Sequence, residues 1–283
     1  MLVVINLITA SLLVPLQRLL LRDDKSDPVT FTVVSQLITG VLLLPLCGLY
    51  GFRLPSLRTY GLLMLGMFLL YAIGHYLYAT TLKVVEASTF STLLNTSTIW
   101  ILATGYVVLQ ERPRLNTLLG ATIIMISVFM LAKGANRGRQ DQYRRSIAMG
   151  LLVGLIFGVA ASLWVYIGRQ ADALSWTVMS FFGTPIIVFL LNPPRLVRQV
   201  RSYITPRLLA AIAILSIVWA VDNLASLAAY QRGSVSVVAP LLQVSVILSV
   251  LIAVFFLNER ERARWKIAAA LVCFCGVALI IAP

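Results

Sequence analysis

Residues 109–114 read LQERPR, and residues 257–262 read LNERER. The two stretches lie 148 positions apart, and the same spacing aligns residues 86–132 with residues 234–280 at eleven identities in 47 ungapped positions. A Glu-Arg-x-Arg pattern that recurs in one register is difficult to attribute to an apolar composition alone. The spacing therefore predicts that the chain arose by internal duplication.

The composition predicts where this duplicated chain resides. It is 60% hydrophobic and only 12% charged, with a mean hydropathy of +0.93, whereas about a quarter of a typical soluble domain is charged. The apolar residues fall in blocks close to the roughly 20 residues that a membrane-spanning helix needs. We therefore predict an all-α polytopic membrane protein with ten transmembrane helices. The predicted spans are 1–21, 29–50, 59–81, 87–109, 115–132, 147–168, 173–192, 207–230, 234–257 and 266–283.

The longest polar stretch lies near the middle of the chain and divides these spans into two groups of five. We predict a first five-helix repeat at residues 1–132, a polar basic linker at 133–146 and a second five-helix repeat at 147–283. Because each repeat crosses the membrane an odd number of times, the second repeat must begin on the opposite side. Inverted repeats of this kind predict transport by alternating access around a central site.

Charge and side-chain chemistry exclude several other classes of protein. The net charge is +13, but the Lys and Arg residues lie almost entirely in short connectors, which indicates contact with lipid headgroups rather than nucleic acid. One histidine and three cysteines cannot assemble a His/Cys metal site, and no glycine-rich nucleotide loop is present. We expect no cofactor and no enzymatic activity. We expect a small-molecule substrate and the lipid bilayer as partners, a monomer or homodimer, and a location in the plasma (inner) membrane.

Two segments carry a resemblance to a known family. Residues Ala87 to Leu131 and Val235 to Ile280 each contain an apolar helix, a Glu-Arg loop and a Gly/Ala-rich helix. This pattern resembles the EamA-type transporters of the drug/metabolite transporter superfamily, and the resemblance covers essentially the whole chain. The first copy departs from the pattern, because Thr92 stands where the second copy has Pro240. The resemblance implies a ten-helix secondary transporter of small metabolites, amino acids, sugar phosphates or drugs.

Polar and aromatic side chains within the spans are candidates for a binding site, because polar groups are costly in a membrane unless they face a cavity or another helix. The 148-residue spacing selects those that occupy equivalent positions in both halves. The equivalent pairs are His75 with Asn223, Asn95 with Gln243, and Tyr71 with Trp219. We predict that these six residues bind the substrate in one shared cavity. The alternative for the polar residues is a structural contact between helices, and the alternative for Tyr71 and Trp219 is a place at the membrane interface.

Asp222 is the one carboxylate predicted to lie deep inside a span. Burial disfavours the charged form of a carboxylate, so we predict that Asp222 couples transport by loading and releasing a proton. Binding of a cationic substrate, or a purely structural pairing with a polar neighbour, remains as an alternative.

These features predict a secondary active transporter of a small metabolite or drug-like solute, driven by proton coupling or by exchange. A channel or a receptor is the alternative, although neither needs two inverted halves. An intramembrane enzyme has less support, because one Asp and one His within the spans cannot form most catalytic sites.

The orientation in the membrane has two conflicting indications. Of the 23 Lys and Arg residues, seventeen lie at connectors that follow odd-numbered spans and six at the others. The positive-inside rule then puts both termini outside the cytoplasm, whereas the resemblance implies that both termini are cytoplasmic. The sequence leaves both orientations open.

Overall fold

The computed structural model describes residues 1–21, 27–108, 114–133, 140–191, 199–200, 205–258 and 263–281. All regular structure in these residues is helical, in agreement with the predicted all-α class. The Glu-Arg loops at 109–113 and 259–262, and residues 134–139 of the predicted linker, lie outside the described residues.

The helices are numbered in chain order. Helix α7 begins inside the predicted linker at 133–146, so the end of this linker is helical. The bounds are α1 (Leu2–Leu21), α2 (Pro28–Tyr50), α3 (Leu57–Val84), α4 (Ala87–Leu94), α5 (Ser97–Val108), α6 (Leu115–Lys133), α7 (Gln140–Gly168), α8 (Ala173–Leu191), α9 (Pro206–Arg232), α10 (Val235–Gln243), α11 (Ser245–Phe256) and α12 (Ala263–Ile281).

Seven of the described helices are long and apolar enough to cross a membrane, judged by length and composition. They are α1, α2, α3, α7, α8, α9 and α12. The prediction of a multi-pass membrane protein is therefore confirmed. The count of ten transmembrane helices in two repeats remains a prediction.

Side chains in the connectors determine where several helices begin. Asp27 precedes α2, and its carboxylate accepts hydrogen bonds from the backbone N–H of Thr30 at 2.9 Å and from the Thr30 hydroxyl at 3.0 Å. Asp172 precedes α8 and accepts from the backbone N–H of Ser175 at 2.9 Å. These carboxylates satisfy N–H groups that have no acceptor within the first helical turn.

Two of the predicted spans are interrupted, and the prediction of one continuous helix in each is wrong. Span 87–109 is divided between α4 and α5, and span 234–257 is divided between α10 and α11. At the breaks the N–H of Thr96 bonds to the carbonyl of Leu93 at 3.1 Å, and the N–H of Val244 bonds to that of Leu241 at 3.3 Å. Both bonds reach back three residues, so each break is a short 3₁₀-type turn.

Hydroxyl side chains next to the breaks compete with the backbone for the same carbonyl groups. Thr96 donates its hydroxyl hydrogen to the carbonyl of Leu93 at 2.8 Å, and Ser245 donates to that of Leu242 at 2.9 Å. Such local bonds offer the chain an alternative to the α-helical ladder. Thr96 and Val244 occupy equivalent positions at the 148-residue spacing, so both halves are interrupted at the same place.

The helix bounds repeat with the same spacing. Both ends of α5 and α11 differ by 148 residues, and so do both ends of α6 and α12. The ends of α3 and α9 also differ by 148 residues, and their starts deviate from this spacing by one residue.

The equivalent helices α6 and α12 pack closely at two glycines. A Cβ atom added to Gly276 would lie 2.6 Å from the carbonyl oxygen of Gly120, so neither position has space for a side chain. Ile124, one turn after Gly120, contacts Gly276, whereas Ile280, one turn after Gly276, contacts Gly120. The two helices therefore run in opposite directions.

Two groups of buried apolar side chains occupy separate regions of the helix bundle, and each is named here after one member. The Trp176 cluster consists of Met64, Met67, Phe68, Ile101, Trp164, Val165, Ile167, Trp176, Leu227, Ala229, Tyr230, Val235, Val238, Ala239 and Leu242. The Phe90 cluster consists of Leu21, Phe31, Tyr78, Ala79, Leu82, Val85, Ala87, Phe90, Val153, Ile212, Leu215 and Ala253.

The clusters lie at opposite ends of the bundle. Helix α3 contributes Met64, near its start, to the Trp176 cluster and Leu82, near its end, to the Phe90 cluster. Helix α9 does the reverse, with Ile212 in the Phe90 cluster and Leu227 in the Trp176 cluster. Six members of one cluster are equivalent to members of the other at the 148-residue spacing. These pairs are Met64/Ile212, Met67/Leu215, Ala79/Leu227, Leu82/Tyr230, Ala87/Val235 and Phe90/Val238.

Candidate functional site

A cavity of about 240 Å³ lies beside the Phe90 cluster, which contributes Tyr78 to its wall. Side chains from both halves of the chain line the cavity. The lining residues are Ala10, Leu13, Val14, Gln17, His75, Tyr78, Ser91, Leu94, Ser97, Phe157, Trp219, Ser245, Val246 and Ser249. None of them carries a charge at neutral pH when His75 is neutral.

Part of the cavity wall is aromatic. The ring of His75 lies 4.9 Å from that of Phe157 and 5.5 Å from that of Trp219, measured between centroids. Tyr78 lies 5.7 Å from Phe157 in a stacked arrangement. Aromatic faces of this kind accept flat apolar groups and single cationic groups.

Another part of the wall carries the hydroxyl groups of Ser91, Ser97, Ser245 and Ser249. Ser245 and Ser249 donate to backbone carbonyls of α10 and α1 at 2.9 and 3.0 Å, which leaves their oxygen lone pairs available as acceptors. The Ser91 hydroxyl is buried and has no hydrogen-bond partner among the described residues.

Three of the predicted site residues lie at the cavity or directly behind it. His75 and Trp219 line the cavity. The ring of Tyr71 stacks on that of His75 at 5.7 Å with an interplanar angle of 26°, on the same helix, and so holds the imidazole in place.

The other three predicted binding residues are not among those that line the cavity. Asn95 is 1% exposed, and its amide nitrogen contacts the sulfur of Cys273 on α12 at 3.1 Å. Asn223 donates to the carbonyl of Trp219, one turn earlier on α9, at 3.1 Å. Gln243 ends α10, and its side chain lies outside the described part of the structure.

Asp222 joins two helices next to the cavity. One of its carboxylate oxygens accepts hydrogen bonds from the amide of Asn6 at 2.8 Å and from the hydroxyl of Thr9 at 3.0 Å. Both partners are on α1, and the sequence did not select them. Trp219, one turn before Asp222, and Ala10, the residue after Thr9, line the cavity.

The cavity is not symmetric with respect to the two halves. Ser91 and Leu94 line it, whereas the equivalent residues of the second half, Ala239 and Leu242, are buried in the Trp176 cluster. Ser97 and Ser245 are equivalent to each other, and both line the cavity. The cavity therefore extends from the centre towards the Phe90 cluster, whereas the described residues at these equivalent positions of the opposite end pack against one another.

Sequence reasoning missed Tyr78, Phe157 and Gln17 as lining residues. Tyr78 lies one turn after His75 and two turns after Tyr71, so helical spacing could have placed it on the same face. Gln17 is a buried polar residue within a span, and its side-chain oxygen accepts a hydrogen bond from the Tyr78 hydroxyl. Phe157 has no such signal, because one more phenylalanine in an apolar helix is unremarkable.

The apolar helices define an integral multi-pass membrane protein, and a cavity lies between them. Residues 1–133 match the EamA-like transporter family, and residues 199–283 match the family described as magnesium transporter NIPA. Both families are membrane transporters of the drug/metabolite type, and the two segments of this chain are similar to them. The resemblance found in the sequence is confirmed.

A solved crystal structure, described only as that of a protein, has the same fold. It aligns with 99% of this chain and 97% of its own length, with a TM-score of 0.67 and 16% sequence identity. At that identity the likeness concerns the fold alone. No curated protein matches the chain.

Proposed function

We propose that this protein is a secondary active transporter that moves a small, amphipathic, uncharged or singly cationic solute by alternating access. The observation that carries this proposal is the central cavity, which borders packed side chains at one end. The chain has no nucleotide-binding signature, so a solute or ion gradient must supply the energy.

The relation between the two halves supports alternating access. The helix bounds repeat at 148 residues, α6 and α12 run in opposite directions, and the two clusters exchange equivalent residues. These features are expected of two inverted five-helix repeats. In such a protein the Trp176 cluster can separate while the Phe90 end packs together. The cavity would then open towards the other end.

The cavity wall suggests the chemistry of the solute. Its volume is below the roughly 300–1,000 Å³ of cavities that hold drug-sized molecules, so we infer a small solute. The aromatic rings around His75 favour a flat or cationic group, and the serine hydroxyls favour a hydroxyl, carbonyl or amine group. A small aromatic amine combines these properties.

Magnesium is a second candidate, because residues 199–283 match a family described as magnesium transporters. Protein sites for this ion use carboxylate oxygens in near-octahedral geometry. The lining residues include no carboxylate, and among the described residues no group of three His, Cys, Asp or Glu is suited to hold a metal. The site therefore supports an organic solute better than magnesium.

Transport by purified protein in proteoliposomes tests the proposal, with small aromatic amines, neutral amino acids and Mg²⁺ as the solutes supplied. We expect saturable uptake of an amphipathic solute that accelerates when the vesicles are preloaded with the same solute. Non-saturable flux without this acceleration would instead indicate a channel.

Substitution of His75 connects the transport to the cavity. His75→Leu should raise KM about tenfold, because it removes a polar ring worth roughly one hydrogen bond and one stacking contact. The matched control is Tyr76→Leu, since Tyr76 is the next residue on α3 and is 39% exposed on the outer surface. Equal effects of the two substitutions would contradict a role of the cavity in binding.

A further inference from the structure

The contact between α1 and α9 contains a polar cluster, which consists of Asn6, Thr9 and Asp222. The Asn6 amide nitrogen donates to Asp222 Oδ1 at 2.8 Å and lies 3.3 Å from the Asp222 backbone oxygen. The Thr9 hydroxyl lies 3.0 Å from the same Oδ1. Among the described residues, no hydrogen-bond donor reaches the second carboxylate oxygen, Oδ2.

The hydrogen bonds in this cluster are incomplete when Asp222 is ionised. Asn6 is 3% exposed, and its amide oxygen is buried without a donor among the described residues. A primary amide and a protonated carboxyl group are complementary, because the amide N–H donates to one carboxyl oxygen while the carboxyl O–H donates to the amide oxygen. A single proton on Asp222 Oδ2 would therefore supply the donor that Asn6 lacks.

The charge balance leads to the same conclusion. No cationic side chain of the described residues forms an ion pair with Asp222, and an unpaired carboxylate inside a membrane is costly. Titratable or charged groups on the elements packed around it include Cys47 on α2, Tyr71 and His75 on α3, Arg169 after α7, Asp172 before α8, and Tyr230 on α9 itself. Arg169 donates to the carbonyls of Tyr230 and Gly233.

The equivalent contact in the other half has no polar counterpart. At the 148-residue spacing Asn6, Thr9 and Asp222 correspond to Gly154, Phe157 and Gly74. A Cβ atom at Gly74 would lie 2.6 Å from the ring of Phe157, so an aromatic ring occupies that space. The polar cluster is therefore peculiar to the α1–α9 contact and is not a general requirement of the fold.

We propose that Asn6 and Asp222 form the site of the proton that drives transport, with the proton on Asp222 Oδ2 and shared with the amide oxygen of Asn6. The step forms one O–H bond with a proton from water on one side of the membrane, and the same bond breaks on the other side. Ala10 follows Thr9, and Trp219 lies one turn before Asp222. Both residues line the cavity, so occupation of the cavity and of the proton site can influence each other. This inference rests on the proposed transport function.

Infrared difference spectroscopy of the full chain in lipid, comparing H₂O with D₂O at mildly acid pH, tests the proton site without any substrate. We expect the band of a protonated carboxyl group in the wild type and its loss in Asp222→Asn. The matched control is Asp172→Asn, which removes a carboxylate that caps α8 outside the spans and should keep the band. Persistence of the band in Asp222→Asn would overturn the proposal.

The role of Asn6 has its own readout. Asn6→Val should shift the carboxyl band to a higher frequency, because the O–H group loses its acceptor. This variant keeps Asp222, so it decides the matter even where Asp222→Asn does not fold. An unshifted band would show that the proton is not shared with Asn6 and would overturn the pairing.

Transport distinguishes this proposal from the proposed function itself. Asp222→Asn retains a donor and an acceptor for Asn6, so we expect it to keep exchange of a small aromatic amine across proteoliposomes and to lose accumulation driven by a pH gradient. If the variant still accumulates the amine in response to a pH gradient, the proton site is wrong but the transporter stands. If the wild type exchanges the amine without any response to pH, the same conclusion follows. If the wild type exchanges no solute in the panel, the proposed function fails, and the infrared bands alone decide the proton site.

Discussion

The Trp176 and Phe90 clusters occupy equivalent positions at opposite ends of the bundle, yet the cavity borders the Phe90 cluster. Side-chain volume explains part of this difference. At the 148-residue spacing Trp164 corresponds to Leu16 and Trp176 corresponds to Pro28. The Trp176 indole donates to the carbonyl of Trp164 at 3.0 Å, and its side chain is completely buried. The comparison teaches that residues at equivalent positions in the sequence can pack together at one end of the bundle and border a cavity at the other.

Removal of the Trp176 indole should have the largest effect on this difference. Trp176→Ala should lower the free energy of unfolding by about 3–5 kcal/mol, because it leaves a cavity in a packed cluster. Thermal unfolding in detergent measures the change. The control is Trp265→Ala, since Trp265 is 57% exposed on α12 and should tolerate the substitution. Equal destabilisation by both variants would mean that the Trp176 cluster does not close this end.

Substitution by leucine at two equivalent positions should affect stability in one case and solute uptake in the other. Ala239→Leu adds volume to the packed Trp176 cluster and should destabilise the protein by about 1–3 kcal/mol. Ser91→Leu adds volume to the cavity, so it should leave the unfolding temperature nearly unchanged and block solute uptake. Unfolding and proteoliposome uptake of both variants check this prediction. A cavity of equal size at both ends would make the two variants behave alike.

Removal of the arginine that caps each end should lower stability by a smaller amount, which is similar at the two ends. Arg18 donates to the carbonyls of Leu82 and Lys83, and Arg169 donates to those of Tyr230 and Gly233. Leu82 and Tyr230 are equivalent, so each half ties the end of α3 or α9 in the same way. Arg18→Gln and Arg169→Gln should each cost about 1 kcal/mol of stability in chemical unfolding. The exposed Arg58→Gln is the control, and a large difference between the two caps would contradict their equivalence.

Much of the fold could be predicted from the sequence, because apolar blocks and a 148-residue spacing are visible in the chain itself. The helix breaks could not, since Asn95, Thr96 and Ser97 include neither Gly nor Pro. The break depends on whether a hydroxyl group bonds to its own backbone or to a neighbouring helix, and packing decides that. The same spacing that predicted the duplication does place both breaks at equivalent positions.

The site could be predicted only in part. Symmetry and polarity selected His75 and Trp219, which line the cavity, but also selected Asn95, which contacts Cys273 instead. A polar residue in a span indicates a polar contact, yet the sequence does not say whether its partner is a ligand or another helix. Asn6 and Thr9 were missed because their equivalents, Gly154 and Phe157, are apolar, and a filter that requires polar pairs discards an asymmetric site.

The most direct test of alternating access between unlike ends is thiol labelling at equivalent positions. Single-cysteine variants Leu94→Cys and Leu242→Cys, in a background with Cys47, Cys273 and Cys275 replaced by alanine, would be treated with a membrane-impermeant thiol reagent. Leu94 is half-buried and lines the cavity, whereas the equivalent Leu242 is buried in the Trp176 cluster. Ser97→Cys and Ser245→Cys serve as a symmetric reference, since both positions line the cavity. We predict that Leu94→Cys reacts with the reagent and Leu242→Cys is protected, and that bound solute slows labelling at position 94. Equal reactivity at positions 94 and 242 would contradict a bundle closed at the Trp176 end.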